Sequence, residues 1–201
     1  DTEWRLAERM GQNPFDLYTA QAAQVAPCSD GLLYLPYLGN TLSPNWHSNA
    51  SGVFFGVRPT TSRAHFIRAL IEGVAFDLYS NVQIAQQAGV KIDQLVLNGG
   101  PTKSRFWNQI TANVTNLPLI VTDVGEAAPT GDAILAAVGA GFYKDPKEPL
   151  AQLVKVKERV EPDRRLHEQY SEFFEVWRSI YAHLKGDMDR HKQLLDRYHV
   201  G

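Results

Sequence analysis

A short apolar strand that runs directly into two glycines is the feature that most limits how this chain can fold. Residues 95–109 have the sequence LVLNGGPTKSRFWNQ. The segment Leu95–Asn98 predicts a short buried strand. Gly99 and Gly100 then let the backbone turn with no Cβ in the way. Pro101 ends strand pairing, because it has no N–H to donate to a neighbouring strand.

A helix is predicted to start just after this turn. Thr102 or Ser104 can cap it, and its inner face would consist of Phe106, Trp107, Ile110 and Val114. A strand, a glycine pair and a helix N-terminus leave backbone N–H groups facing a gap that suits a phosphate or the ribose edge of a nucleotide. The alternative is that the glycines only turn the chain. The sequence has neither a Walker loop nor the dinucleotide fingerprint, which disfavours a dehydrogenase-type domain.

The same segment belongs to a regular alternation of strands and helices. The predicted order is a helix over 62–88, a strand over 94–98, a helix over 104–115, a strand over 118–122 and a helix over 127–141. The first of these helices is capped by Thr61 or Ser62. Its apolar stripe would be Phe66, Leu70, Val74, Leu78 and Val82, widened by Ile67, Ile71 and Ala75. This order predicts parallel strands joined by crossover helices, and therefore an α/β fold. The last helix is rich in Ala and Gly, and we expect it to approach a neighbouring element closely.

The flanking segments add further elements. Short helices are predicted over 1–10 and 14–26, and short strands near 31–39 and 53–57. Residues 154–160 predict an exposed extended segment or a short strand. A long terminal helix begins at Pro162-Asp163. Its inner face, interpreted as core packing, would be Tyr170, Phe173, Trp177, Ile180, Leu184 and Met188.

Composition excludes several classes of function. The 201 residues carry a net charge of −2 with both signs interspersed, so there is no basic face for nucleic acid. No apolar run approaches the ~18 residues that span a bilayer. The one cysteine, Cys28, rules out an intrachain disulfide and favours a reducing, cytoplasmic compartment. We interpret Cys28 as a small semi-buried hydrophobe rather than a nucleophile.

Motifs for metal and triad chemistry are not found in the sequence. The histidines form no HExxH pattern, no Cys/His cluster has zinc spacing, and there is no GxSxG elbow. We therefore predict no metal site in this chain. Glu72 is unusual because it lies inside the long helix beside Gly73. It either faces solvent or is buried and receives hydrogen bonds from backbone or Arg donors.

Three segments, 31–57, 63–76 and 98–143, together resemble the C-terminal half of FGGY-type carbohydrate kinases. They occur in the family's order and spacing, and the resemblance runs from about residue 20 to about residue 185. The tail VEPDRRLHEQYSEFFEVW is similar to the family's closing helix. The resemblance implies an actin-like ATPase fold, with two ribonuclease-H-like domains and with ATP and sugar in the cleft between them.

On this resemblance, residues 1–201 would form one domain, the C-terminal, ATP-side lobe, with a long terminal helix over 162–195 packed on it. We expect the lobe to lack its first β-hairpin. The strands over 94–98 and 118–122 would then expose an edge and an apolar face, so the isolated chain should form a homo-oligomer or need a partner.

The resemblance also implies the site residues. In the family, adenosine contacts the glycine-rich loop and the start of the next helix, which here are Gly99, Gly100, Pro101 and Ser104, with Asn108 close behind. Pro101 replaces the usual Gly or Ala and removes one N–H donor. The general base and the residues that bind the sugar lie upstream, in an N-terminal lobe. We therefore expect no catalytic residue in this chain.

The implied activity is transfer of the γ-phosphate of ATP, with Mg²⁺, to a hydroxyl of a small, pentulose-like sugar or a polyol. Phosphoryl transfer needs both substrates, metal and base in place, so we expect this chain alone to be inactive. The alternative is a non-enzymatic binding or assembly domain that keeps the actin-like scaffold, because a fold does not fix a function.

Overall fold

The computed structural model describes residues 2–11, 13–125 and 127–199, and its strands and helices alternate between residues 53 and 139. In chain order the elements are α1 (Thr2–Met10), α2 (Pro14–Ala22), β1 (Leu33–Leu35), β2 (Val53–Phe55), α3 (Arg63–Gln87), β3 (Leu95–Leu97), α4 (Arg105–Thr115), β4 (Leu119–Thr122), α5 (Ala127–Gly139), α6 (Lys147–Leu153), β5 (Val156–Val160) and α7 (Arg164–Tyr198). Among the described residues, no helix is both long enough and apolar enough to cross a membrane.

The strands form two small sheets. β1 and β2 pair antiparallel, with Leu33 opposite Phe55 and Leu35 opposite Val53. The second sheet has the order β3-β4-β5, in which β3 and β4 are parallel and β5 is antiparallel to β4. The predicted parallel pair with its crossover helix α4 is therefore confirmed, and the segment predicted as extended or strand is the antiparallel strand β5.

One edge of β3 has no paired strand within the part of the chain that the structure describes. The side chain of Val96, in the middle of β3, is 53% exposed. A parallel strand normally has both of its edges paired and both of its faces covered. β3 is therefore an edge strand of the second sheet among the described residues.

α3 packs closely on the first sheet at a glycine. A Cβ added at Gly73 would lie 2.3 Å from the Tyr34 carbonyl oxygen, so only glycine lets the helix approach β1 this closely. The predicted bounds of the helix are confirmed to within a residue, and Ser62 forms a capping box with His65 at its start.

The predicted apolar stripe of α3 is wrong in part. Leu70 and Val74 are exposed, and the residues of α3 that the fold buries are Arg68, Ala69, Ile71, Glu72, Gly73, Ala75, Phe76 and Val82. The helix is apolar around most of its circumference, so periodicity does not select one face. The buried face also carries the ion pair of Arg68 and Glu72. A prediction from apolar periodicity assigns charged residues such as these to the exposed face.

The main core lies between α3, the first sheet and α7. The buried residues of α7 are Tyr170, Phe174, Trp177, Tyr181 and Met188. Three of these were predicted, whereas the predicted Phe173, Ile180 and Leu184 are only partly buried. The Trp177 indole Nε1–H donates to the Tyr34 carbonyl at 2.7 Å, which joins α7 to β1.

α5 does not make the close approach that its small residues predicted. A Cβ added at Gly131 or Gly139 would meet nothing within 4 Å. Ile134 is its buried residue among those described, whereas Leu135 is 64% exposed. The small residues of α5 are therefore not explained by packing within the described residues.

Candidate functional site

The carboxyl ends of the parallel strands β3 and β4 lie side by side, and their loops are tied together. The Thr122 hydroxyl donates a hydrogen bond to the Asn98 side-chain oxygen, so the residue after β3 and the last residue of β4 are joined. Ligands of open α/β sheets bind outside the carboxyl ends of parallel strands. This position is the one at which the sequence predicted a nucleotide.

The glycine turn that follows β3 is open to solvent. Gly99 has φ +93° and ψ −171°, a conformation that glycine adopts without strain. A Cβ at Gly99 or Gly100 would meet nothing within 4 Å. No side chain among the described residues therefore lies against this backbone, and Gly99, Gly100 and Pro101 are all exposed.

Hydrogen bonds within the turn give it a fixed shape. A 3₁₀ turn runs over Gly100–Lys103, and the Thr102 N–H and hydroxyl both donate to the Gly99 carbonyl, at 3.2 and 2.6 Å. The Ser104 N–H donates to the Pro101 carbonyl at 3.0 Å. Pro101 is therefore placed where its missing N–H leaves this internal network intact.

Ser104 is the N-cap of α4, which resolves the choice between Thr102 and Ser104. The Ser104 hydroxyl accepts a hydrogen bond from the Trp107 N–H at 3.3 Å, and its side chain is half-buried. The N-terminus of α4 thus lies next to the open glycine turn. A helix N-terminus carries about half a positive charge, which favours an anion at this end.

Asn108 differs from the other predicted site residues because it is buried, at 1% exposure. Its Nδ2 donates to the Thr102 carbonyl at 2.9 Å, and its Oδ1 has no hydrogen-bond partner among the described residues. The side chain therefore lies behind the turn and supports it.

Asn98, Thr122 and Asp123 were not predicted at the site, and Thr102 was considered only as a possible helix cap. The Asp123 N–H donates to the Lys155 carbonyl at 3.0 Å, and its Oδ1 accepts the Lys155 N–H at 2.9 Å. These bonds anchor the loop after β4 to the segment that leads into β5. The signal that could have identified them is their position, because Asn98 and Asp123 directly follow strands and Thr122 ends one.

A buried ionic cluster stands behind the start of α4. The Arg68 guanidinium lies over the Phe106 ring at 5.2 Å and donates through Nε to Glu72 Oε1 at 2.7 Å. Glu72 also accepts hydrogen bonds from the Cys28 N–H, the Ser29 hydroxyl and the Tyr170 hydroxyl, at 3.0, 2.7 and 2.8 Å. Of the two alternatives for Glu72, the buried one is therefore confirmed.

This cluster joins α3, α7 and the turn after α2 around one carboxylate. Its many donors compensate the charge of Glu72, since a buried carboxylate needs hydrogen bonds and a counter-ion. Burial next to Glu72 raises the pKa of the Cys28 thiol to about 12. Cys28 is therefore a neutral, buried side chain, and the interpretation of it as a small hydrophobe rather than a nucleophile is supported.

Metal ligands are the remaining question for this site. Within residues 2–11, 13–125 and 127–199 there is no group of three or more His, Cys, Asp or Glu side chains that could hold an ion. Asp123, which directly follows β4, accepts a hydrogen bond from the Lys155 backbone N–H through its side chain.

The chain is similar in sequence to two kinases of known name. The chain is 34% identical over 157 residues to a xylulose kinase from Staphylococcus epidermidis, an alignment that covers 78% of this chain and 32% of that protein. It is 32% identical over 186 residues to an autoinducer-2 kinase from Enterobacter sp., covering 92% of this chain and 35% of that protein. The chain thus spans about a third of the length of these relatives.

The fold has a close structural counterpart. The ligand-bound xylulose kinase from Lactobacillus acidophilus superposes with a TM-score of 0.80 at 25% identity, covering 94% of this chain and 39% of the other. The actin-like ATPase fold expected from the sequence is therefore confirmed.

A family model described as "FGGY family of carbohydrate kinases, C-terminal domain" matches residues 2–140, which include β3, the glycine turn, α4 and β4. The expected family is thus confirmed on most of the chain. This chain belongs to the FGGY family of carbohydrate kinases, and residues 2–140 correspond to the C-terminal domain of its members.

Proposed function

We propose that this chain is the ATP-binding lobe of a carbohydrate kinase that transfers the γ-phosphate of ATP to a hydroxyl of a small sugar or polyol. The observation that carries the proposal is the open turn of Gly99 and Gly100, at the carboxyl ends of two parallel strands and beside the N-terminus of α4. In this arrangement a nucleoside can lie directly on backbone.

Each residue of the predicted site has a distinct role in this proposal. Gly99 and Gly100 form the surface against which the adenosine lies, and Pro101 gives the turn a rigid, small edge without an N–H. Ser104 caps α4, whose N-terminal field favours the phosphates by about 0.3–1 kcal/mol. Asn108 holds the turn in shape through the Thr102 carbonyl.

The relatives, which are kinases of xylulose and of autoinducer-2, support a small carbohydrate as the phosphate acceptor. We favour a pentulose-like sugar or a polyol. The sugar would be bound mainly by an N-terminal lobe that also supplies the general base, so this chain contributes no catalytic residue. When bound with ATP, Mg²⁺ would neutralise charge on the transferring phosphoryl group.

The mechanical role of the lobe is to close over the sugar. Closure of two lobes around ATP and sugar would exclude water and so prevent wasteful hydrolysis of ATP. We treat residues 1–201 as a single lobe that works in the cytoplasm, with α7 as its closing helix. The free edge of β3 would be covered in a longer protein, by a partner or by a second copy of the chain.

The test is the activity of the longer protein that contains this chain, assayed with ATP and Mg²⁺ against pentuloses, hexuloses and polyols. We expect sugar-dependent formation of ADP with one class strongly preferred, and no such activity from the 201-residue chain alone. Absence of turnover with every acceptor, together with no binding of ATP analogues when a sugar lobe is added, would favour the non-enzymatic assembly domain instead.

A further inference from the structure

We propose that Ser62, His65 and Asp30 form a nucleophilic site that accepts the acyl group of small, activated esters. The three side chains are hydrogen-bonded in a row. Ser62 Oγ lies 2.7 Å from His65 Nδ1, and His65 Nε2 lies 3.0 Å from Asp30 Oδ2. A hydroxyl, an imidazole and a carboxylate in this order are the parts of an activated serine nucleophile. The inference goes beyond the proposed function, because none of these residues belongs to the nucleotide site.

The hydrogen bonds around His65 decide which of its ring nitrogens is the base. The Ser62 backbone N–H donates to Nδ1 at 3.1 Å, and an N–H group can only donate. In the neutral ring Nδ1 is therefore an acceptor, and Nε2 carries the hydrogen that is donated to Asp30. The Ser62 hydroxyl thus faces an unprotonated nitrogen within hydrogen-bond distance, as general-base catalysis requires.

The capping box at the start of α3 explains only part of this arrangement. Ser62 is the N-cap of the helix and His65 is its third residue, so a contact between these two is expected from capping alone. Asp30 comes from a separate segment, 35 residues from His65 in the sequence, and has no part in a capping box. The carboxylate on the second ring nitrogen is therefore the feature that points beyond a helix cap.

The turn that carries Asp30 has a strained backbone. Cys28, Ser29 and Asp30 have φ angles of 63°, 49° and 50°, a left-handed region that L-residues other than Asn and Asp rarely adopt. The Glu72 carboxylate holds this turn, because it accepts hydrogen bonds from the Cys28 N–H and the Ser29 hydroxyl. Buried contacts therefore fix the backbone of Asp30 beside His65, although the Asp30 side chain itself is 60% exposed.

Two other serine–histidine contacts in the described part of the chain lack this arrangement. Ser179 Oγ lies 3.3 Å from His183 Nδ1, but that nitrogen also bonds to the Ser179 carbonyl at 2.7 Å. It therefore carries a hydrogen and cannot take one from the hydroxyl. Ser171 Oγ lies 3.3 Å from His167 Nε2, but its own hydrogen is donated to the His167 carbonyl at 2.9 Å. Of these three serines, Ser62 is therefore the one whose proton a histidine can accept.

The reaction that this geometry supports is acyl transfer to Ser62, whose side chain is exposed to a small ester. Ser62 Oγ attacks the carbonyl carbon, and the bond from that carbon to the leaving oxygen breaks. The hydroxyl proton passes to His65 Nδ1 and from there to the leaving alcohol. Water then attacks the acyl-serine by the same route, which releases a carboxylic acid and restores Ser62. Asp30 acts through His65 as a positioning residue, because it holds the ring in the required tautomer.

The experiment is reaction of the chain with p-nitrophenyl acetate, followed by release of p-nitrophenolate and by peptide mass spectrometry to locate the acetyl group. We expect the acetyl group on Ser62. Ser62→Asp removes the nucleophile but keeps a good N-cap, and His65→Gln removes the base but keeps the capping box. Both variants should react at least about tenfold more slowly, with a melting temperature close to that of the parent chain. Ser179→Ala, at a serine that also contacts a histidine, is the matched control and should react at the parent rate.

Asp30→Asn tests the third member of the row, because Asn tolerates the left-handed backbone of this position but carries no charge. We expect it to react at least about tenfold more slowly than the parent chain, and Asp30→Glu to recover part of the rate. The proposal is overturned if Ser62 is not acetylated, or if Ser62→Asp or His65→Gln reacts at the parent rate. It is also overturned if Asp30→Asn reacts at the parent rate, since a capping box alone would then account for the contacts.

Discussion

The Asn108 side chain donates a hydrogen bond to the Thr102 carbonyl at 2.9 Å, from the buried face of α4 to the back of the glycine turn. This bond makes the shape of an exposed loop depend on a residue that no ligand needs to touch. We expect Asn108→Ala to free the Thr102 carbonyl, to lower the free energy of unfolding by about 1 kcal/mol, and to weaken the binding of ATP analogues.

Calorimetric titration of the Asn108→Ala chain checks this prediction, with Val114→Ala as the matched control. Val114 is fully buried on the same helix but lies away from the turn, and its truncation should cost about 1–2 kcal/mol of stability. The control should lose stability without losing affinity. Equal affinities for both variants would show that Asn108 has no special relation to the nucleotide.

The carboxylate at the centre of the buried cluster should dominate local stability. Glu72→Gln removes the charge that pairs with Arg68 and turns one acceptor into a donor facing other donors. We expect a loss of about 3 kcal/mol or more in urea unfolding, because an unpaired buried charge remains. Glu175→Gln, which breaks the exposed pair with Arg178, should change stability by no more than about 0.5 kcal/mol.

Two helical glycines should respond to alanine in opposite ways. Gly73→Ala places a Cβ against the Tyr34 carbonyl, so we expect it to lower stability by about 2 kcal/mol or more. Gly131→Ala adds a methyl group in open space and should stabilise α5 by up to about 1 kcal/mol. Thermal unfolding of the two variants measures both effects, and a destabilised Gly131→Ala variant would contradict this account of α5.

The local signals of the sequence placed the elements well. The glycine pair, the Ser62 and Ser104 caps and the helix-initiating Asp163 fixed the bounds of α3, α4 and α7 to within a few residues. Caps and turns depend on neighbouring residues in the chain, so they can be recognised from sequence. The parallel pairing of β3 and β4 followed from the crossover helix between them.

The features that could not be predicted from the sequence depend on contacts between segments that are distant in the chain. Glu72 is buried because donors from the turn after α2 and from α7 converge on it. Leu70 and Val74 were predicted as core residues from the spacing of apolar residues in α3. That spacing does not show which face of an apolar helix is covered by another element. Asn108 was predicted at the site, but its position behind the loop follows from tertiary packing.

Acid should loosen the contact between the loop after β1 and the second half of α7. Hydrogen bonds from Asn49 and His47 lower the pKa of the Asp189 carboxyl below its ordinary value. Because the folded pKa is lowered, this stabilisation is present above the ordinary carboxyl pKa and is lost as the pH falls through the folded value.

We expect the parent chain to lose more melting temperature than an Asp189→Asn chain when both are taken from neutral pH to acid. The comparison of the two acid profiles by thermal unfolding isolates this one carboxylate, since all other acidic groups are shared. Parallel profiles would mean that the Asp189 contact does not contribute to the stability of the fold.

The most direct test of the ATP-binding claim is a titration of the chain and its Gly100→Val variant with a non-hydrolysable ATP analogue. Gly100 is the right position because an added side chain meets nothing within 4 Å, whereas any side chain at Gly99 is strained by its φ of +93°. Gly131→Ala serves as the control for an added group elsewhere. The account predicts that the parent and the control bind and that Gly100→Val binds at least about tenfold more weakly, a difference of about 1.4 kcal/mol. Equal affinity of Gly100→Val and the parent chain would contradict it.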